Sequence, residues 1–354
     1  MPLDEVDAGA PEVGDNLPTI SVVTVTFNCL EQFKTMLKTL EQQEYPKDRI
    51  EHIIVDGGST DGTCKFAEEH GIILVSAPEY RDNQEARRGL ALRYVKNEII
   101  LYLDSDNYLP SELWLREMVR PFMDESSVVG TQSLRYAYLP DETLLNRYYA
   151  LFGVNDPVPY YLNKRDRLSW AEDAFTLRGS VIKDTEGYLI VQFDEHNLPT
   201  IGCNGFLVRA AVLKALDIEP DDFMHIDVHV DAIRQGHDAY GLVKNDVIHS
   251  TGDTMLKSFR KRYFYMTVHH QREHARRRYL VFDSSDTRDV LNLLKFILYS
   301  ITFIKPTYDA ARGYVRVHDP AWFMHPFVCF GMCCIYSYAT LINTFGGLSH
   351  GSQR

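Results

Sequence analysis

"IILYLDSDNYLP", residues 99–110, runs through five apolar positions and then sets Asp104 and Asp106 two residues apart. A short apolar run bounded by polar turn residues reads as a buried strand. The two carboxylates therefore stand where a strand has just ended. Upstream, "ISVVTVTF", "IEHIIVD" and "GIILVS" are runs of the same kind, separated by amphipathic stretches at Leu30 to Glu44, Asp61 to His70 and Asn83 to Lys96. Strands of this length alternating with helices predict βαβ units and a mostly parallel sheet covered on both faces. "SSVVGTQSLRY", "GCNGFLVRA" and "AYGLVKNDVIHS" extend that sheet, with room for an antiparallel member.

The chain has 354 residues, 45% of them hydrophobic, enough to fill a core. Its formal charge is -12, unevenly spread. Lys257 to Arg278 holds eight Lys or Arg against Glu273, a local +7, which leaves -19 for the rest (-12 minus 7). An acidic body argues against nucleic acid as a partner, and a basic run beside apolar segments suits an anionic membrane surface. The six cysteines show no CxxC pairing, which points away from zinc and from a disulfide scaffold and toward a reducing compartment. Residues 1–18 are acidic and lack the apolar core of a signal peptide, so a flexible tail is expected there. Residues 19–255 are expected to form one catalytic domain, split at 107/108, and 256–354 a basic and apolar helical extension. In that extension 289–304 suits an interfacial helix, and Phe327 to Ile342 is the better membrane candidate, though shorter than the ~20 residues a span needs.

Ligands of open parallel sheets bind where strands end. Three such ends carry polar motifs: Thr26 and Asn28 after the first strand, "VDGGSTDGT" from Val55, and Asp104 with Asp106 after the fourth. Gly57 and Gly58 permit close backbone approach, and Ser59 or Thr60 with Asp61 can cap the next helix. Two acids on one turn repel unless a cation joins them, and carboxylate oxygens suit Mg²⁺ or Mn²⁺ when a diphosphate supplies further oxygens. An EF-hand would need Gly at Leu109, a P-loop would need Gly-Lys-Ser/Thr, and "DGGSTDG" is not the GxGxxG of a dinucleotide site. A haloacid-type phosphatase would carry its Asp pair near the first strand.

Taken in order, "SVVTVTFN", "VDGGSTDGT", "NQEARRGLA" and "LYLDSDN" resemble the nucleotide-binding half of family 2 glycosyltransferases of the A-type fold. The resemblance continues more loosely to about residue 262. It implies an α/β fold with a Rossmann-like sheet flanked by helices, and a C-terminal helical, membrane-associated extension. It also implies transfer of a sugar from a nucleoside-diphosphate sugar, with inversion, to a glycan or lipid-linked acceptor. Thr26, Asn28 and Asp56 would line the base and ribose pocket, and Arg81 and Asn83 would lie beside the nucleotide. Asp104, with Ser105, would meet ribose; Asp104 and Asp106 would hold Mn²⁺ or Mg²⁺, with Asp106 the principal ligand and His249 completing the shell. A general base is expected on the helix of "HIDVHVD", where Asp227 and Asp231 share a face and Asp227 is favoured. The Glu-Asp pair usual in that family is missing there. Gly202, Asn204 and Gly205 would form an acceptor-side loop, and Trp170 would stack on a sugar or sit in the core. The resemblance places the protein on the cytoplasmic face of a membrane. Two other classes stay open: a non-catalytic nucleotide-sugar-binding subunit, and a sugar nucleotidyltransferase, although "TFNCLEQFK" lacks the glycine-rich loop of the latter.

Overall fold

The computed structural model describes residues 16–267 and 276–350, with side chains of the final helix as far as 343. The first fifteen residues of the expected tail, and Arg272 and Glu273 of the basic run, lie outside them. Residues 16–18 are not tail-like: Leu17 is buried, and the Pro18 carbonyl accepts from the Tyr45 hydroxyl.

The nucleotide-binding half alternates as β1 (Ile20–Thr26), α1 (Leu30–Glu41), β2 (Ile50–Asp56), α2 (Thr63–Glu69), β3 (Ile73–Ser76), α3 (Gln84–Ala91) and β4 (Ile99–Tyr102). Then come β5 (Asn107–Tyr108), α4 (Trp114–Asp124), β6 (Val128–Tyr136), α5 (Leu144–Phe152), α6 (Pro157–Tyr161) and the hairpin β7 (Ser180–Asp184) and β8 (Tyr188–Gln192). β9 (Phe206–Arg209), α7 (Ala210–Ala215), α8 (Asp227–Arg234) and β10 (Ala239–His249) close the sheet. The helical extension comprises α9 (Met255–Tyr265), α10 (Thr287–Thr302), α11 (Ile304–Arg316) and α12 (His325–His350).

The sheet order is β3-β2-β1-β4-β9-β6-β10-β8-β7, with β5 paired to β10. β1, β2, β3 and β4 pair in parallel, as do β6 and β10; β9 is the antiparallel member between β4 and β6. The alternation of side chains divides the core into two. Ile53, Val55, Ile100 and Tyr102 enter one face cluster, and Ile54, Ile99 and Leu101 the other. Helices bury stripes against these faces: α1 contributes Phe33, Met36, Leu37 and Leu40, at helical spacing. A third cluster, outside the sheet, joins α5 and α6 to α10, α11 and α12 around Phe152, Phe296, Trp322 and Met332.

α9 ties the extension to the rest. Arg262 pairs with Asp156 of the α5–α6 turn at 3.4 Å, and Tyr265 meets Gln84 of α3. On its other side Phe259 lies against Gly331 of α12, and the Tyr263 and Tyr338 rings stand 5.9 Å apart.

The described residues of the basic run, expected to face anionic lipid, make several ion pairs with the protein. Lys257 and Lys261 pair with Asp253, Arg276 with Asp222, Arg277 with Asp227 and Arg278 with Asp231. The acidic body neutralises the run internally, which sequence composition does not reveal. All six cysteines are free thiols.

Candidate active site

The C-terminal ends of β1, β2, β4, β6 and β10 form one rim. β5 crosses it, pairing Asn107 with His249 at the end of β10, and the Ser250 amide donates to the Asp106 carbonyl at 2.9 Å. That crossing brings Asp106 beside His249, 143 residues later in the chain, with Oδ2 3.7 Å from Nε2. Burial opposes ionisation of Asp106, but His249 and then Lys261 outweigh it and hold the carboxyl below its usual range.

Asp104 turns the other way. Both its oxygens accept from Arg88 of α3, each at 2.8 Å. The repulsion expected between the two acids is thus relieved by a protein cation on one side and an imidazole on the other. Asp104, expected beside ribose and metal, thus carries a guanidinium on both its oxygens. Ser105 lies against Cys29.

Arg88 is the hub of a buried charge cluster that sequence reasoning passed over. It also pairs with Glu85, one turn earlier on α3, and Glu85 faces His225 at 3.0 Å while accepting from the His225 amide at 2.9 Å. Burial works against charge on His225, yet Glu85, with Cys203 alongside, pushes its pKa up to about 10. A raised histidine pKa gives stability that is complete below the ordinary value of 6.5 and is lost as pH rises toward about 10. Melting temperature should therefore fall across that window more steeply in the wild type than in His225→Gln; parallel curves would contradict the charged pair. The i, i+3 spacing of Glu85 and Arg88 in "NQEARRGLA" was the available signal.

The nucleotide-side residues are tied into a framework. Asp56 accepts from Thr26 at 2.8 Å, from the Gly58 and Ser59 amides at 2.7 Å each, and from the Ser59 hydroxyl at 2.5 Å. Burial opposes its charge, but those bonds prevail and keep it below the usual carboxylate range. Asn28, at φ 48°, takes the Thr60 amide on its side chain, and Asn83 caps α3 through Ala86. Asp61, expected as a cap, serves both Leu30 and Thr63. A Cβ at Gly57 would lie 2.8 Å from the Arg87 guanidinium, which would have to shift. Arg81 is exposed and stacks 5.0 Å over the exposed ring of Phe27, a pair unassigned from sequence.

Across the rim, Asn204, at φ 55°, donates to the Tyr136 hydroxyl at 2.9 Å, and Arg167, fully buried, donates to the Asn204 carbonyl at 2.8 Å. Arg167 also holds Asp166 at 2.7 Å. Burial raises the Asp166 carboxyl above its usual range despite Arg167. The Tyr136 ring lies 5.4 Å from that of His249, so this cluster adjoins the Asp106 end. Trp170 donates to the Tyr136 carbonyl at 2.9 Å and packs into the third core.

Asp227 does not face the rim freely. It is buried and accepts five hydrogen bonds: three from Arg277 at 3.0–3.2 Å and two from the Arg278 and Tyr279 amides. Asp231 sits 2.6 Å from Arg278. Among the described residues no three His, Cys, Asp or Glu side chains converge as a metal cage. The donor set is Asp106 with His249, whose buried Nδ1 has no hydrogen-bond partner. Two donors fit an ion that takes its other oxygens from a diphosphate.

The glycosyl transferase family 2 model matches residues 21–179. Residues 21–179 are a family 2 glycosyl transferase domain. The match begins in β1 and includes both strand-end motifs and Asp106. Among curated proteins, the poly(ribitol-phosphate) beta-N-acetylglucosaminyltransferase TarS of Staphylococcus aureus is 32% identical over 96 residues, 26% of this chain and 17% of TarS. Glycosyltransferase AglE of Haloferax volcanii is 25% identical over 136 residues, 37% of this chain and 44% of AglE. The matches thus span less than half the length of these relatives. Among solved structures, the mannosyltransferase PcManGT of Pyrobaculum calidifontis, in complex with GDP-Man and Mn²⁺, aligns with a TM-score of 0.51 and 15% identity. That alignment covers 93% of this chain and 88% of PcManGT, so the glycosyl transferase domain and its extension share that fold.

Proposed function

We propose that the protein transfers a sugar from a nucleoside diphosphate to an acceptor, with inversion at the anomeric carbon. The observation that carries this reading is the meeting of Asp106 and His249 at the strand-end rim. Thr26, Asn28 and Asp56 would support the base and ribose from below, and Arg81 with Phe27 offers a cation and a ring face at the side. Asp104, Ser105 and Asn83 would border the ribose. A Mn²⁺ or Mg²⁺ ion on Asp106 and His249 would supply Lewis-acid stabilisation of the departing diphosphate. Arg88, shared with Glu85, pairs with Asp104 on the side away from His249.

An acceptor hydroxyl must lose a proton. Asp227, the acid favoured from sequence, could take it only after releasing Arg277, and Asp231 is paired with Arg278. Asp166 has one guanidinium bond, to Oδ2, and a raised pKa, which supports it as the proton acceptor. An acceptor phosphate would need no base, and a lipid-linked acceptor at a cytoplasmic membrane face accords with the apolar extension.

The test is thermal denaturation with UDP, GDP, CDP and dTDP, with and without Mn²⁺. Ligand at about 100 times its dissociation constant adds roughly 2.7 kcal/mol. A metal-dependent rise with one nucleotide is expected; no rise with any of them would overturn the reading.

A further inference from the structure

The extension has an unusual surface. Of the 25 exposed large hydrophobic side chains among the described residues, 16 lie between Leu256 and Ile342. On α10 they form a stripe, Leu291, Leu294, Leu298 and Ile301, each 51–61% exposed and spaced three or four apart. A helix in a folded domain turns such a stripe to the core; here it faces outward, while Phe296 and Ser300 occupy the buried side. At the end of the stripe Phe303 takes φ 61°, and α11 leaves at 82° to α10. The Phe303 ring lies 5.4 Å from Phe330 and 6.2 Å from Phe327, both exposed on α12. The apolar faces of α10 and α12 are therefore continuous through the elbow.

The exposed charged residues of the helices between 287 and 343 are of one sign. Between 287 and 343 the acids are Asp289, Asp309 and Asp319, all at most 6% exposed. They pair with Lys164, Lys305 and Arg147. The exposed charged residues are Arg288, Lys295, Arg312 and Arg316. Of these, Lys295 and Arg312 have no carboxylate partner among the described residues. No exposed acid therefore stands within these helices, while Asp286 and Asp173, outside them, pair with Arg288 and Arg316.

We infer that the face formed by α10, the Phe303 elbow and α12 beds into the interfacial layer of an anionic lipid bilayer. Buried apolar area and attraction of cations to anionic headgroups are the two contributions such binding needs. A second copy of the chain fits less well, because an isologous contact would set Lys295 against helices that expose no acid between 287 and 343. The assignment stands apart from the donor chemistry. It differs from the expectation drawn from composition in resting on the apolar stripe and Lys295 of α10 and not on the basic run at 257–278.

The experiment is sedimentation of the full chain with vesicles of phosphatidylcholine, alone or mixed with phosphatidylserine, with melting temperature and nucleotide response measured in parallel. The wild type should sediment with the mixed vesicles, and less so as salt rises. Lys295→Gln should bind them about fivefold more weakly. Leu294→Asp with Leu298→Asp should abolish sedimentation while melting and nucleotide response stay as in the wild type, which separates this result from failure of the transferase reading. Absence of sedimentation with either vesicle would overturn the inference. So would a lipid-free dimer that Leu294→Asp dissociates.

Discussion

On the proposed mechanism, Asp106→Ala should lower turnover about a thousandfold and remove the Mn²⁺-dependent response to nucleotide, yet leave the melting temperature of the free protein close to that of the wild type. Lewis-acid stabilisation of a leaving group is worth several kcal/mol, and each 1.4 kcal/mol is about a factor of ten in rate. The structural work at this position is done by the backbone, whose carbonyl receives the Ser250 amide. The side chain, 26% exposed, has only a 3.4 Å bond from Asn107 and the 3.7 Å approach of His249. Its loss therefore deletes function with little packing. Steady-state rates across a Mn²⁺ titration check this, and unchanged turnover would remove the metal clamp from the mechanism.

Asp227→Asn behaves in the opposite way. Arg277 is 4% exposed, and stripping its partner leaves a buried guanidinium uncompensated. Breaking such a pair costs about 3–5 kcal/mol, to be read from the urea midpoint. Asp166→Asn, which takes the carboxylate from fully buried Arg167, should also lower that midpoint, and in addition should cut transfer to a hydroxyl acceptor by roughly 10²–10⁴. Because burial raises the Asp166 carboxyl, the acid limb of the wild-type rate profile should lie above that of an ordinary aspartate. If Asp227→Asn folded with normal stability and lost turnover, the base assigned from sequence would stand and Asp166 would not.

The strand–helix alternation was legible because runs such as β1 and β4 are buried on both faces and helices such as α1 bury a periodic stripe. The strand ends at Asp56, Asp104 and His249 could be read for the same reason. Charge partners could not. Arg88 serves Asp104 across 16 residues, Arg277 serves Asp227 across 50, and Asp106 meets His249 only because a two-residue strand crosses the end of β10. Periodicity reports which way a side chain points, not which distant cation arrives to meet it. The basic run shows the same limit, since composition counts its charges and only the fold supplies their partners.

The position of α9 bears on how this protein is handled at the bench. A boundary at 255/256 looks attractive for shedding the apolar helices. Cutting there would strip Lys257 and Lys261 from Asp253, a carboxylate only 8% exposed that follows β10, and would take Tyr265 from Gln84 at the start of α3. The shortened protein would then carry an unpaired acid close to Asp106, and a weak donor response from it would report the surgery, not the enzyme. Detergent with the whole chain is the safer preparation.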